Sequence, residues 1–270
     1  MKRRIAVRII AIANQKGGVG KTASAISIAA ALRSHHRKRV LLCDLDAQAN
    51  ASTWLTSRNG EPGKSIYDVI MQRASLPDCI LKTQSRIDLL PSNLKTANLD
   101  VELLGVIKFH ERMSDALSDL PEEAYDYVIL DCPPNLSMNT LNAFGAASVV
   151  IIPVEVKQEA FDAVSHLMNT LLKVTGGKAT IRPYGLPTFM NRTNLARDIY
   201  ELMQERFQSL CLPPIHQNTR LAEAFAARKT IFEYDSTSSG AVDYMRATKE
   251  LVNDLEEAKV RRPVRETVAE

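Results

Sequence analysis

The sequence lacks the features of several large protein classes. All of its apolar runs fall short of the roughly 20 residues that a membrane-spanning helix needs. The N-terminal residues 1–4 (M-K-R-R) lead into a strand interrupted by Arg8, and not into the apolar core of a signal peptide. No internal repeat or low-complexity segment is visible, and 45% of the 270 residues are hydrophobic, so the chain lies outside the disordered and fibrous classes. We therefore expect a cytoplasmic globular protein.

The sequence also has few cysteines and only a small excess of positive charge. The four cysteines are scattered, without a C-x-x-C pair or a histidine at zinc-ligand spacing: Cys43, Cys79, Cys132 and Cys211. This spacing predicts reduced, structural thiols and no zinc site. The formal net charge is only +3, which does not establish nucleic-acid binding but is compatible with a local basic patch.

One glycine-rich stretch organises the chain. Residues 14–22 (N-Q-K-G-G-V-G-K-T) stand between an apolar run at 9–13 and an alanine-rich run at 23–32 with good helix propensity. A strand, a glycine loop and a helix in this order form a phosphate cradle, because backbone N–H groups converge on one anion at a helix N-terminus. The residues predicted to surround a nucleotide are Gly17, Gly18, Val19, Gly20, Lys21, Thr22 and Ala23.

This loop contains two lysines, one of them unexpected. Lys21 is placed to reach the β- and γ-phosphates, and the Thr22 hydroxyl is placed to bind Mg²⁺. The loop departs from the usual G-x-x-x-x-G-K-[ST] spacing, since Gln15 occupies the place of the first glycine and Lys16 follows it. Spacing alone leaves two interpretations of Lys16 open, a solvated surface lysine or a functional contact.

Acidic residues end two of the predicted strands. The apolar run at 40–43 ends in Asp44, with Asp46 two residues later, and the run at 127–130 ends in Asp131. Ligands of a doubly wound sheet bind outside the carboxyl ends of its parallel strands, so we expect these carboxylates beside the phosphate loop. Asp131 is predicted to bind Mg²⁺, usually through water. Asp44 and Asp46 are either metal- and water-orienting groups or solvated loop aspartates.

Strand-like and helix-like segments alternate through the whole chain. The predicted strands cover residues 9–13, 40–44, 87–91, 125–131, 148–154, 182–190 and 215–218, and the longer predicted helices cover 23–32, 94–105, 158–173, 195–208, 219–228 and 239–258. This alternation predicts an α/β fold, with a doubly wound, mostly parallel sheet of about seven strands flanked by helices. We expect one P-loop ATPase domain over residues 1–258 and a polar tail over 259–270. Trp54, the only tryptophan, is expected to pack and not to bind a base.

Five segments of the chain form a recognisable set. They are K-G-G-V-G-K-T at 16–22, D-L-D-x-Q-x-N at 44–50, Y-V-I-L-D-C-P-P at 127–134, R-T-N-L at 192–195 and N-x-R-L-x-E-A at 218–224. Together they closely resemble the ParA/Soj partition ATPases, in the deviant Walker A, or signature-lysine, class of P-loop proteins. The resemblance covers nearly the whole chain. MinD and the nitrogenase iron proteins share the first segment, so the subclass depends on the later ones.

The resemblance implies a slow ATPase that forms an ATP-dependent sandwich dimer. Lys16 would cross the interface to the nucleotide of the partner subunit, where a cation offsets the charge that accumulates on the phosphate oxygens. The other implied roles are phosphate binding by Lys21, Mg²⁺ binding by Thr22 and Asp131, and orientation of the attacking water by Asp46, with Asp44 in support at the metal and at the water. ATP and Mg²⁺ are the implied cofactors.

The same resemblance implies two macromolecular partners. Relatives of this size bind double-stranded DNA without sequence preference through a basic surface assembled by the dimer, and a ParB-like protein stimulates hydrolysis. We expect no N-terminal DNA-reading domain, because the first strand begins within the first ten residues. The candidate DNA contacts are Arg220, which matches a basic position of the family, and Arg206, Arg228 and Lys229. Binding to the nucleoid through such a surface should weaken steeply with salt, because each neutralised phosphate releases counterions.

The chain departs from the family pattern at three places. Ala47 and Ala49 stand where proline and glycine are usual, so we expect the loop after Asp46 to be constrained differently. Asn191 stands where an acidic residue is common. None of these departures alters a predicted phosphate or metal contact.

Three other functions on this scaffold stay open at this point. One is a related ATPase that positions another cellular cargo. A MinD-like membrane switch needs an apolar C-terminal face, whereas residues 261–265 (R-R-P-V-R) offer little apolar area. A redox enzyme resembling the nitrogenase iron protein needs cysteines that face a shared cluster, and no second cysteine is evidently placed to join Cys132. We therefore expect a DNA-partition ATPase without a membrane partner.

Overall fold

The computed structural model describes residues 7–56, 63–121, 123–157, 160–174 and 181–261. In these ranges six strands form one sheet, namely β1 (Arg8–Ile12), β2 (Val40–Asp44), β3 (Asp88–Leu90), β4 (Tyr127–Asp131), β5 (Val149–Glu155) and β6 (Arg182–Thr188). Their order is β3-β2-β4-β1-β5-β6, and every neighbouring pair is parallel. The predicted α/β fold is confirmed. Most of the predicted tail at 259–270 lies outside the described residues.

Helices cover both faces of this sheet. The α-helices are α1 (Lys21–Ser34), α2 (Asn50–Leu55), α3 (Ile66–Ile70), α4 (Leu76–Cys79), α5 (Leu99–Glu102), α6 (Arg112–Ser118), α7 (Met138–Ala146), α8 (Ala160–Val174), α9 (Asn194–Phe207), α10 (Thr219–Ala226), α11 (Ile231–Tyr234) and α12 (Ser239–Arg261). Short 3₁₀ helices occur at Leu94–Asn98, Phe109–Glu111 and Gln208–Leu210. None of the helices in the described ranges is both long and apolar enough to cross a membrane.

Alternate residues of the strands build two separate apolar cores. On β1, for example, Ile10 and Ile12 point into a layer with α1, α2 and α10 to α12, whereas Ala11 points into a layer with α3 to α9. Side chains on neighbouring strand positions face opposite sides of a sheet, so a strand covered on both faces must be apolar throughout. This explains why the strands appear in the sequence as continuous apolar runs.

The strand register brings the functional ends of three strands level. Asp44, at the end of β2, pairs with Asp131, at the end of β4, and Asp131 also pairs with Ile12, at the end of β1. The glycine loop leaves β1 at this point. Two carboxylates and the loop are therefore neighbours because of the parallel register alone.

Two predicted elements differ from the structure. The seventh strand, predicted at 215–218, is reduced to an isolated parallel bridge between Met190 and His216. Pro213 and Pro214 precede it and carry no N–H group, so a regular ladder cannot continue through them. The helix predicted over 94–105 is divided into a 3₁₀ turn and α5, and it stops before Gly105, whose φ of 78° is left-handed.

The last helix and the tryptophan both pack inside the molecule. Leu251, Val252 and Leu255 of α12 are buried against the α1 layer, so they are not available as a membrane-binding face. Trp54 is only 4% exposed, as predicted for a packing residue. Its ring lies edge-on to Phe225, with the ring centroids 5.0 Å apart.

Candidate nucleotide and metal site

The glycine loop between β1 and α1 is held in shape by the neighbouring strands. Gly18 and Gly20 have φ of 74° and 87°, in the left-handed region where a side chain is unfavourable. Asn14 fixes the start of the loop, since its Oδ1 accepts from the Lys16 N–H at 3.0 Å and its Nδ2 donates to the Pro153 carbonyl at 2.7 Å. The Thr188 hydroxyl donates to the Val19 carbonyl at 3.0 Å. Strands β5 and β6 therefore preform the cradle.

Lys21, the first residue of α1, lies inside this cradle. It is 8% exposed, and its Nζ donates to the Lys16 carbonyl at 3.0 Å. Burial lowers the pKa of Lys21, while the negative charges of the site, above all that of Asp131, act in the opposite direction. A buried ammonium group whose one hydrogen bond to the described residues is to a carbonyl of its own loop is well placed to bind a phosphate.

Asp44 is fully buried and already bonded. Its Oδ1 accepts from the Asp46 N–H at 3.1 Å, and its Oδ2 accepts from the N–H and the hydroxyl of Ser52 at 2.8 and 2.7 Å. Burial raises the pKa of Asp44 to about 6, although the Ser52 hydrogen bonds favour the charged form. Both oxygens are used to hold the loop between β2 and α2, so the contacts support a positioning role for Asp44.

Asp131 is buried to nearly the same degree but with weaker compensation. It is 1% exposed, and within the described ranges no donor meets its carboxylate oxygens at regular hydrogen-bond geometry. Burial, followed by the charge of Asp44, raises the pKa of Asp131 well above its usual value, whereas the Thr22 hydroxyl and Lys21 favour the charged form. A buried carboxylate with so little compensation is costly. A hard divalent cation coordinated by Asp131, the Thr22 hydroxyl, water and phosphate oxygens would remove this cost, so the donor set fits Mg²⁺.

Asp46 stands at the open side of the site, on a strained loop. It is half-buried, and its Oδ1 accepts from the Gln48 N–H at 3.0 Å. Ala49, whose N–H donates to the Asp46 carbonyl, has φ of 51° and is the N-cap of α2. The left-handed region disfavours alanine because of its Cβ. The structure therefore gives a physical meaning to the absence of glycine at this position.

Lys16 makes an ion pair within its own chain. Its Nζ lies 3.9 Å from Oε2 of Glu155, the last residue of β5, and the Lys157 Nζ lies 2.5 Å from the other Glu155 oxygen. One carboxylate thus faces two ammonium groups. This ion pair is specific to the present arrangement and was not predicted from the sequence.

The four candidate DNA contacts do not lie together. Arg220 opens α10, and its guanidinium group pairs with Glu223 at 2.7 Å and with Asp235 at 3.6 Å. Arg228 and Lys229 are exposed directly after the same helix. Arg206 lies on α9, which packs in the opposite helical layer. The structure groups Arg220, Arg228 and Lys229 in one layer and separates Arg206 from them.

Several residues that shape the site gave no signal in the sequence. Ser52, Thr188 and Glu155 act through single contacts made possible by the fold, and no motif spacing marks them. Asn14 stands in the loop sequence and forms two hydrogen bonds, one to the Lys16 N–H and one to the Pro153 carbonyl. The second depends on the position of β5. Periodicity and motif spacing do not encode such contacts between distant segments.

Comparisons with known proteins agree with this geometry. A family model described as an AAA domain matches residues 7–181. The sporulation initiation inhibitor protein Soj of Bacillus subtilis is 36% identical over 249 residues, which cover 90% of this chain and 98% of that protein. The chromosome-partitioning ATPase Soj of Thermus thermophilus is 38% identical over 259 residues, covering 94% and 99% respectively.

A solved structure extends the comparison to the bound ligands of a relative. Cobyrinic acid a,c-diamide synthase from Mycobacterium smegmatis, with bound ATP analog and magnesium, superposes with a TM-score of 0.80. It is 29% identical, and the match covers 93% of this chain and 97% of that one. A similar protein thus binds nucleotide and magnesium on this scaffold.

The buried Asp131 carboxylate is expected to lower the stability of the nucleotide-free protein. Asp131→Asn is expected to raise the free energy of unfolding of the nucleotide-free protein by about 1–3 kcal/mol near neutral pH, because it removes a weakly compensated buried charge. Because the pKa of the native Asp131 carboxyl is raised well above its usual value, the folded protein takes up this proton at a higher pH than the unfolded chain, whose aspartates titrate near pH 4. Wild-type stability therefore rises as the pH falls from neutral toward 4, and the difference in stability between wild type and Asp131→Asn narrows. Urea unfolding of both proteins across this pH range measures the difference in their free energies of unfolding.

Asp126→Asn is the matched control for this prediction. Burial alone would raise the pKa of Asp126, but hydrogen bonds from the Arg39 side chain and backbone hold it below its usual value. Its replacement should therefore destabilise the protein near neutral pH. If Asp131→Asn were destabilising in the same way, the interpretation of Asp131 as a weakly compensated charge would be wrong.

The left-handed conformation of Ala49 is also expected to lower the stability of the protein. Ala49→Gly is expected to stabilise the protein by up to about 1 kcal/mol, because relief of the left-handed strain exceeds the entropy cost of glycine. Ala47→Gly, two residues earlier and without positive φ, should destabilise it instead. Equal destabilisation by both substitutions in thermal unfolding would contradict the assignment of strain to Ala49.

Proposed function

The chain belongs to the Soj/ParA family of chromosome-partitioning ATPases, and we propose that it hydrolyses ATP to control its own binding to DNA. The observation that carries this proposal is the pairing of Lys21, in a preformed glycine cradle, with the weakly compensated carboxylate of Asp131 beside it. Lys21 is placed to bind a phosphate, and Asp131 is placed to bind a cation. Residues 1–258 would act as one ATPase domain.

The residues of the site divide the work of hydrolysis among them. The loop N–H groups from Gly17 to Ala23 and the ammonium group of Lys21 bind and orient the phosphates. Thr22 and Asp131 hold Mg²⁺, which when bound offsets charge on the β- and γ-phosphate oxygens. Asp46 orients the attacking water, and Asp44 positions Asp46 through its bond to the Asp46 N–H. Because Asp44 also bonds to Ser52, the position of α2 depends on the same carboxylate.

Lys16 would complete the site of a second copy of the chain. In the present arrangement Lys16 and Lys157 both pair with the Glu155 carboxylate. Since Glu155 keeps Lys157 as a partner, breaking the 3.9 Å contact between Lys16 and Glu155 costs little electrostatic energy. In an ATP-dependent sandwich dimer it would then contact the nucleotide of the partner subunit, where its positive charge favours the transition state. Nucleotide binding, dimer formation and hydrolysis are in this way coupled through one side chain.

DNA binding would follow from the connection between α2 and the basic segment after α10. The Trp54 Nε1–H donates to the Lys229 carbonyl at 2.8 Å, and an Arg228 Nη1–H donates to the Thr56 carbonyl, next to the end of α2, at 3.2 Å. The start of α2 is bonded to Asp44 through Ser52. A change at the phosphates therefore has a short, bonded route to Arg228 and Lys229. A ParB-like partner that stimulates hydrolysis would end the DNA-bound state on the nucleoid.

ATP-dependent retention on DNA of arbitrary sequence tests this function. Wild-type protein with ATP and Mg²⁺ is expected to bind a labelled duplex at low salt, and Lys21→Ala to lose this binding because its cradle no longer holds phosphate. Arg220→Ala should reduce the slope of log affinity against log salt by about 1 for each phosphate that Arg220 neutralises, and Arg220→Lys should retain the slope. Fluorescence anisotropy measures both.

Lys64→Ala is the matched control, since Lys64 is an exposed lysine whose only described ion pair is a 3.8 Å contact with Asp78. It should leave DNA binding unchanged. Failure of the wild-type protein to bind DNA at low salt in the presence of ATP would show that the proposed function is wrong.

A further inference from the structure

A basic groove runs across the end of α1 that lies away from the nucleotide site. Two cavities, of about 660 and 340 Å³, share Ser85 and Glu233 in their walls and therefore adjoin each other. The cations that line the groove are Lys82, Arg228 and Lys229 in the larger cavity and Arg33, Arg37 and Arg86 in the smaller one. Glu233 is the one carboxylate that lines either cavity within the described chain.

Most of this positive charge has no internal counterion. Arg33, Arg37 and Arg86 form no ion pair or side-chain hydrogen bond with any residue in the described ranges. Lys82 differs, since its Nζ pairs with Asp88 at 2.5 Å. The Glu233 carboxylate does not neutralise the arginines either, because it caps α11 by accepting from the N–H and the hydroxyl of Thr230 at 2.8 and 2.9 Å. Three guanidinium groups thus line one cavity at a net electrostatic cost.

The groove is separate from the ATP phosphates. Lys21 is the first residue of α1, whereas Arg33 lies in its last turn. A helix of 14 residues is about 20 Å long, so a nucleotide in the glycine loop cannot reach these arginines. The C-terminal end of a helix carries about half a negative charge. Three arginines outweigh it, and the groove remains a site for anions.

We propose that this groove binds the phosphate backbone of duplex DNA, with Arg33, Arg37 and Arg86 as phosphate contacts. A single phosphate would be held by donors that converge on one point. Here the cations come from the end of α1 and the turn after it, from the segment before β3 and from the segment after α10, and they are spread over two adjoining cavities. Guanidinium groups bind phosphate oxygens in a bidentate manner, and a row of them matches the repeated charges of a nucleic-acid strand.

This inference rests on the proposed function and extends it to residues outside the motifs of the family. Arg228 and Lys229, two of the DNA contacts expected from the sequence, line the same groove as the three arginines. The Lys229 carbonyl accepts from Trp54 of α2, and the Arg228 side chain donates to the carbonyl of Thr56, next to the end of α2. The groove therefore joins cations whose position depends on α2 to cations on and near the C-terminal end of α1.

The salt dependence of DNA binding tests the groove directly. The triple variant Arg33→Gln, Arg37→Gln and Arg86→Gln keeps the side-chain stems but removes three positive charges. With ATP and Mg²⁺, its slope of log affinity against log salt for a short duplex should fall by about 3 for each bound protomer, at roughly 0.9 for each phosphate no longer neutralised. The triple lysine variant at the same positions should restore most of the slope, because it restores the charges.

A second triple variant controls for net charge. Lys64→Gln, Lys108→Gln and Lys249→Gln removes the same charge from exposed lysines that line neither cavity, and it should leave the slope close to that of wild type. The groove variant should keep the wild-type melting temperature and basal ATP hydrolysis. A wild-type slope for the groove variant, with binding still lost in Lys21→Ala, would overturn the groove but not the proposed function. Absence of DNA binding by the wild-type protein would overturn both.

Discussion

The structure depends on a cluster of buried charges at the carboxyl ends of β1, β2 and β4. Parallel register places Asp44 opposite Asp131, and the loop after β1 brings Lys21 to the same place. Asp44 is compensated by Ser52 and by the backbone of Asp46, whereas no donor in the described chain meets the oxygens of Asp131 at regular hydrogen-bond geometry. Such a cluster is unfavourable in the empty protein and becomes favourable with phosphate and Mg²⁺. Binding energy from the nucleotide is therefore available to bias the conformation of whatever is bonded to these carboxylates.

Helix α2 is the element that is bonded to them. Its Ser52 holds Asp44, its Trp54 holds the Lys229 carbonyl, and its N-cap Ala49 stores left-handed strain. A short helix with one end bonded to Asp44 and the other end bonded to a basic segment is suited to carry a change at the carboxylates to the proposed DNA surface. The route is made of direct hydrogen bonds and needs no rearrangement of the sheet. It also explains why a tryptophan is buried beside a segment that is otherwise exposed and cationic.

The fold and the phosphate cradle could be predicted from local patterns. Continuous apolar runs marked the buried strands, and the G-G-V-G-K-T loop with Asp131 at a strand end marked the candidate nucleotide site. The seventh strand and the helix at 94–105 were wrong in detail, because two prolines and a left-handed glycine interrupt regular hydrogen bonding there. The ion pair of Lys16 with Glu155 and the convergence of Arg33, Arg37 and Arg86 could not be predicted. Both join segments that are distant in the chain, and neither has a characteristic spacing.

The proposed action of Lys16 on the nucleotide of a partner subunit is best tested by mixing two inactive variants. Lys16→Ala retains its phosphate cradle but lacks the crossing lysine, whereas Lys21→Ala retains Lys16 but has a defective cradle. If Lys16 acts across the interface, the mixture forms heterodimers in which one complete site is assembled from two chains. ATP hydrolysis by the mixture should then exceed the sum of the two separate variants, and it should rise with protein concentration. A rate equal to that sum at every concentration and ratio would show that Lys16 does not act across the interface.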